Sequence, residues 1–283
     1  MFFREDLEMT IQRNALLLSF ILLSSAICFA QAQYNFLPEK PLNYNFKIEG
    51  DISYKYEGTS AQQFSVLSRG KIKLELIEQT GDVFSMKMTP SRTLVKLNGM
   101  AIEDFTRSET AVSQVISTAI MEIRKNGKML NVTEISPGIL NLAQILMILP
   151  DFPDDVRSGT RWTKTLPAFS LPGVPMCSLK FTYLYNEGKE SVSRISLLSN
   201  QPIKERRREG EVIAVFTGKN SSRGEFLFDE KQGELKNFEG VIDLILQIKF
   251  EMPPGPDQKP STRQSLPLNI NIKLNVTLSQ IAG

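Results

Sequence analysis

Three long stretches of this chain alternate apolar and polar residues with a period of two, and no other feature restricts its fold as sharply. YNFKIEGDISYKYE puts Tyr44, Phe46, Ile48, Ile52, Tyr54 and Tyr56 on one side, with Lys47, Glu49, Asp51, Ser53 and Lys55 on the other. FEGVIDLILQIKFE gathers Phe238, Ile242, Leu244, Leu246, Ile248 and Phe250, and LPLNINIKLNVTLS gathers Leu268, Ile270, Ile272, Leu274, Val276 and Leu278. Successive side chains of a strand point to opposite faces, so these stretches predict strands with one buried and one wetter face, the pattern of antiparallel sheet. They exceed the usual strand length of about five or six residues. The expected fold is therefore mainly β: a long curved antiparallel sheet, a half-barrel or open barrel, with one buried apolar helix.

The connections are read from turn chemistry. Asn126-Gly127 in IRKNGKML predicts a two-residue hairpin, because a type I′ turn needs positive φ at both central positions. Slightly longer hairpins are expected around Asp229 to Gly233 and Gln79 to Asp82, and a further one through Asn186 to Lys189. Glu251 to Gln264, EMPPGPDQKPSTRQ, is too rich in proline to pair centrally and reads as a long exposed loop. Val112, Val115, Ile116, Ala119, Ile120 and Ile123 fit helical spacing, but β-branched content and the following Asn-Gly argue for a strand over Thr118 to Arg124, leaving 108–117 open. The expected helix is SPGILNLAQILMILP, with Ser136 as N-cap, Pro137 at the first helical position and Pro150 as the stop. Only Asn141 and Gln144 interrupt its apolar surface, so it belongs against the concave face of the sheet.

The N-terminus carries a targeting pattern. Arg13 precedes an apolar run from Ala15 to Ala30, and Ala30-Gln31-Ala32 is a small-x-small cleavage site, so residues 1–32 read as a signal peptide cut between Ala32 and Gln33. Met9 as the true start would account for the acidic FREDLE upstream. The run is shorter than the roughly 20 residues that span a bilayer, which argues against a transmembrane anchor. Cys28 does not fit a lipobox, since Ser25 and Ile27 stand where an aliphatic and a small residue are needed. The expected product, residues 33–283, is a secreted or periplasmic single β-rich domain with a central helix and corner at about 136–162. Cys177 is its only cysteine, so no intramolecular disulfide holds it. Asn131, Asn220 and Asn275 begin N-x-S/T sequences, relevant only in a glycosylating host.

Composition excludes much chemistry. The chain has no histidine, which removes the commonest general base, Ser-His and Cys-His nucleophiles and most zinc sites. Its net charge of +2 is too balanced for a nucleic-acid partner. The one basic cluster, Lys204 to Arg208, lies between Pro202 and Gly210 and reads as a solvated turn; if functional, it would meet anionic lipid headgroups or cell-wall polymers. No cofactor or metal is expected.

The stretch PDFPDDVRSGTRW, Pro150 to Trp162, admits three readings. Asp151, Asp154 and Asp155 resemble a glycosidase carboxylate set, but adjacent Asp154 and Asp155 on a proline loop lack the differing burial that separates acid from base. The D-x-x-D-D spacing does not match a calcium loop. A structural corner explains every residue: Pro150 and Pro153 favour extended backbone, Asp154 or Asp155 bonds local amides, Gly159 turns, and Trp162 plugs the start of the next strand.

The apolar run, the Leu-Pro-x-x-Pro corner and the Gly-x-x-Trp that follows, Leu149 to Pro167, resemble a motif of uncharacterised secreted bacterial proteins. The wider architecture is similar to the lipoprotein-carrier superfamily, whose half-barrels cover a hydrophobic cavity with helices; the resemblance supplies no catalytic residues. It implies a non-enzymatic cell-envelope protein that binds an apolar small molecule, a lipid or a lipoprotein acyl chain. The expected lining is Leu142, Ile145, Leu146, Met147, Leu149, Phe152 and Trp162, with Met86, Met88, Met121 and Met129 as adaptable neighbours or plain core. The alternatives are a structural or interaction module with a full core, partnered by an envelope protein or polymer, and a histidine-independent hydrolase.

Overall fold

Alternation becomes sheet almost throughout the computed structural model, which describes residues 32–104, 118–136, 146–171, 174–188, 190–209, 212–252 and 264–281. Its strands are β1 (Leu42–Tyr56), β2 (Gln62–Thr80), β3 (Val83–Leu97), β4 (Met100–Asp104), β5 (Thr118–Arg124), β6 (Met129–Ser136) and β7 (Arg161–Leu171). They continue with β8 (Val174–Asn186), β9 (Val192–Leu198), β10 (Gln201–Glu209), β11 (Val212–Asn220), β12 (Arg223–Asp229), β13 (Glu234–Met252) and β14 (Gln264–Gln280). All belong to one antiparallel sheet whose main path runs β6-β5-β3-β2-β1-β14-β13-β12-β9-β8-β7, with β4 on β3 and β10 on β11. The path is not closed: it ends at β6 and β7.

The three patterned stretches are the centre of this sheet, β1, β14 and β13. Their registers bring Ile48 opposite Val276 and Ile272 opposite Leu244, so the apolar sets share one inner face. Phe46, Ile48, Ile242, Leu244, Ile272 and Val276 are all buried there. β13, at 19 residues, is long enough to take two partners end to end: β12 opposite its first half and β11 opposite its second. Residues before β1 also enter the core. Tyr34 and Phe36 are buried, and Tyr34 N–H donates to Lys125 O at 2.7 Å while Asn35 N–H donates to Gly233 O at 2.9 Å.

Several local expectations are corrected. The hairpin at Asn126-Gly127 exists between β5 and β6, but it is not a type I′ turn: Gly127 has φ 89° and Asn126 has no positive φ. Gly127 N–H closes on Arg124 O at 2.8 Å, and the glycine supplies the left-handed residue after a turn. The hairpin with positive φ at both central residues is the other Asn-Gly, Asn98 at 50° and Gly99 at 79°, joining β3 to β4. The Gln79 to Asp82 hairpin is tighter than expected, with Thr80 directly opposite Val83.

No helical element is found among the described residues, where Leu146 alone is helical, so the buried apolar helix is not supported; 137–145 lie outside them. Ser136, expected as the N-cap, is instead the end of β6 opposite Thr118, so its backbone is committed to the ladder. Leu146 to Pro150 form a turn, with Leu149 N–H on Leu146 O at 3.0 Å. Lys204 to Arg208 are not a turn either, but the middle of β10. Pro202 is tolerated there because β10 is paired on one side only. Of the loop expected over Glu251 to Gln264, Glu251 and Met252 end β13 and Gln264 opens β14, while 253–263 lie outside the described residues, as do Cys28 and the stretch 108–117. Among the described residues no helix is long and apolar enough to cross a membrane.

Candidate functional site

The turn at Leu146 to Phe152 reaches across the inner face and is tied to both ends of the sheet. Proline at 150 has no N–H to give, and the turn leaves three successive carbonyls pointing away from regular partners. Each is met by a long side chain from a different element. Tyr183 of β8 donates to Ile148 O at 2.7 Å, Lys164 of β7 to Leu149 O at 2.8 Å, and Tyr34 to Pro150 O at 3.2 Å. Phe152 N–H donates to Asn126 O at 2.6 Å, which joins the corner to the β5–β6 turn.

Phe152 is fully buried among Tyr34, Trp162 and Phe228, with ring centroids 5.7, 6.1 and 4.9 Å away. Trp162 stacks on Tyr183 at 5.3 Å with the rings 15° apart, the plug expected at the mouth of β7. Asp151 Oδ1 lies 4.0 Å from Lys164 Nζ and accepts no hydrogen bond. Burial pushes the Lys164 ammonium below its ordinary pKa, an effect that Asp151 partly opposes. Burial first, and the neighbouring Asp151 after it, pushes the Tyr183 hydroxyl well above the ordinary range, and Tyr34 is raised by burial first and then by Tyr44, Tyr183 and Asp151. The hydroxyls are thus held protonated, and both they and the Lys164 nitrogen are already spent on backbone carbonyls.

Asp154 and Asp155 are exposed and make no hydrogen bond among the described residues, so the expectation that they bond local amides is corrected. Thr160 does that work: Arg157 N–H donates to its Oγ1 at 3.0 Å, and its own N–H returns to Arg157 O at 2.8 Å. Gly159 turns with φ 88°. No three Asp, Glu, His or Cys side chains among the described residues converge as metal ligands. Asn220 is buried, its Oδ1 accepting from Ser222 N–H and Oγ, whereas Asn131 and Asn275 are exposed.

Of the expected lining, Leu142 and Ile145 lie outside the described residues. Leu146 and Leu149, with Leu278 of β14, line both of two small apolar cavities of about 20 Å³ each. Phe46, Ile48, Phe226 and Phe238 are on the far side of one, and Phe36, Tyr44, Met121 and Leu235 on the far side of the other. Met147 packs at the edge of the core, and Phe152 and Trp162 sit in the aromatic cluster rather than on these cavities. Met86, Met88 and Met121 are fully buried, and Met129 partly so. Tyr34, Asn126, Lys164 and Tyr183 were not legible as a group. They meet only through pairing between distant strands, and no local spacing signals that.

No family model matches the chain, and no curated protein does. Among solved structures it is similar to one described as lipid-protein interactions in lipovitellin, with a TM-score of 0.45 and 13% sequence identity. The alignment covers 88% of this chain and 26% of that one, so this chain spans about a quarter of the lipovitellin chain.

Proposed function

We propose that this is a secreted, non-enzymatic cell-envelope protein that holds an apolar ligand, a lipid or acyl chain, against the inner face of its sheet. The carrying observation is the pair of apolar cavities that share Leu146 and Leu149 of the turn and Leu278 of β14 as walls. Each has room for about one water and is too apolar to bind it well. Small-molecule sites are larger, about 300–1,000 Å³, so a ligand must move the two leucines aside and join the cavities. From Ile148 to Pro150 the carbonyls are bonded to β7, β8 and Tyr34, but the leucine side chains are held only by dispersion contacts. They are the movable part of an otherwise anchored corner.

Titration with a fluorescent fatty acid tests this reading. Wild type should take up the probe, and Leu146→Trp, which fills the space, should stay folded and refuse it. A wild type that binds no apolar probe, together with a Leu146→Trp variant destabilised by about 1–3 kcal/mol or more through overpacking, overturns the carrier and leaves an interaction module. That second reading is favoured by the small size of each cavity and by Met86, Met88 and Met121 packed as core filler.

The proposed cut rests on the sequence pattern: among the described residues Ala32 before it and Tyr34 after it are both buried, and Tyr34 N–H is fixed by Lys125 O. Mass spectrometry of the exported protein should find Gln33 at or near the N-terminus; an intact or acylated Cys28 would refute this.

A further inference from the structure

We propose that the outer face of β10, β11 and the adjoining half of β13 docks on the phosphate headgroups of an anionic phospholipid bilayer. This goes beyond the reading of the inner face and does not depend on it. Buried Ile203 fixes the parity of β10: Ile203, Glu205 and Arg207 face inward, and Lys204, Arg206 and Arg208 face out. The ladders then set the rows. Arg206 lies beside Val215 and Lys249, Lys204 beside Thr217 and Gln247, Arg208 beside Ile213 and Glu251, and Pro202 beside Lys219 and Ile245.

Five cations, Lys204, Arg206, Arg208, Lys219 and Lys249, therefore share one face with one carboxylate, Glu251, which Arg206 engages at 2.9 Å. On the inner side, by contrast, Arg207 is neutralised by Glu205. Lys204, Lys219 and Lys249 are exposed and make no ion pair among the described residues. With strands about 4.8 Å apart and alternate residues about 6.8 Å apart, the cluster occupies about 10 by 20 Å. Like charges on neighbouring strands repel, so the cluster is held together against its own electrostatics.

What lies between the cations selects the anion. Ile213 and Val215 are half-buried and Ile245 is 56% exposed, which gives the lysine and arginine stems an apolar bed suited to a headgroup boundary. No aromatic side chain stands on this face in those rows to stack a base, which disfavours a nucleic acid.

The test is co-sedimentation of the full chain with vesicles of phosphatidylcholine alone or with 30% phosphatidylglycerol, at low and high salt. Binding should favour the anionic vesicles and fall with salt. Each lysine near such a surface is worth about fivefold in affinity, so Lys204→Gln, Lys219→Gln and Lys249→Gln together should weaken binding roughly a hundredfold. Lys87→Gln, Lys128→Gln and Lys231→Gln, on β3, in the β5–β6 turn and in the β12–β13 turn, should leave it unchanged. The N-terminal apolar run would bind both vesicle types alike and cannot produce the difference. Equal binding to both vesicles, or equal effects of the two triple variants, overturns the proposal. Binding to poly-glutamate but not to anionic vesicles also overturns it, and assigns the face to an acidic macromolecule.

Discussion

Gly127 meets two demands at once, whereas Gly99 meets one. A Cβ at 127 would lie 2.4 Å from Pro150 O and 2.4 Å from a carbon of the Tyr34 ring, on a backbone with φ 89°. A Cβ at 99 would meet nothing within 4 Å, so only its φ of 79° matters. Gly99→Ala should cost about 1–2 kcal/mol, and Gly127→Ala about 2–5 kcal/mol once overpacking is added, read as urea midpoints. The same pair shows what one residue discloses. Both Asn-Gly dipeptides were visible in the sequence, but the type I′ turn formed at Asn98-Gly99, where nothing presses on the turn. At Asn126 the carbonyl is taken by Phe152 N–H and the side chain by Lys128 N–H at 3.0 Å, and these bonds select a different turn. Lys164 is the corresponding case among side chains, a lysine in an alternating strand whose burial no neighbour announces. Lys164→Met should cost about 1.5–3 kcal/mol by leaving Leu149 O and Asp151 unanswered. Adding Asp151→Asn should recover part of it, and additive effects in the double-mutant cycle would show that the two do not interact.

The elements divide by where their partners lie. β5 could be placed to the residue, Thr118–Arg124, because its alternation and its hairpin are both local. The expected helix is not supported at the same scale: Ser-Pro, an apolar run and a closing proline satisfy every local rule, but 137–145 lie outside the described residues and Ser136 pairs with β5 across the hairpin. β10 was misread because Pro202 and Gly210 look like turn residues, while the edge of a sheet accepts a proline without losing a ladder bond. The corner was legible as a corner, but not the residue that closes it. Asp154→Asn with Asp155→Asn should therefore change stability by less than about 0.5 kcal/mol and leave fatty-acid uptake intact. Thr160→Val removes an acceptor for Arg157 N–H and should cost about 1 kcal/mol. If the aspartate pair proves the more damaging, by calorimetry or by uptake, the carboxylates have a role that the corner does not explain.

At the scale of the molecule, alternation discloses that a large sheet forms and which face is buried, because those depend only on the sequence of side chains along each strand. Strand order depends on pairings over long separations, such as β11 and β12 sharing one edge of β13, and nothing local encodes it. The core does make one collective property predictable, its dependence on pH. Burial alone would push the Glu234 carboxyl up, but bonds from Gln280, Lys40 and Lys236 outweigh it and hold the group below the usual range. A depressed carboxylate stabilises the fold above its unfolded pKa, and the contribution is lost as pH falls through the folded value. Tyr34, Tyr44 and Tyr183 are raised by burial above the ordinary value of 10.0, and Tyr185 is pushed up to about 12 by burial and by its bond to Glu230. A raised tyrosine stabilises fully below its unfolded pKa and loses that contribution as pH rises from there through the folded value. Lys164 runs the other way, since its depressed pKa makes the fold regain stability up to the unfolded value of 10.5, but it is one group against four. The urea midpoint should therefore fall below about pH 4 and fall more steeply above about pH 10. Glu234→Gln should make the acid limb shallower and, because Glu234 helps hold Tyr44 up, the alkaline one slightly so, whereas Tyr44→Phe, which removes one ionisable ring while keeping its packing, should make only the alkaline limb shallower. A midpoint that stays level from pH 9 to 12 would mean that the four hydroxyls meet water, and that the inner face is not the closed apolar surface on which the carrier reading depends.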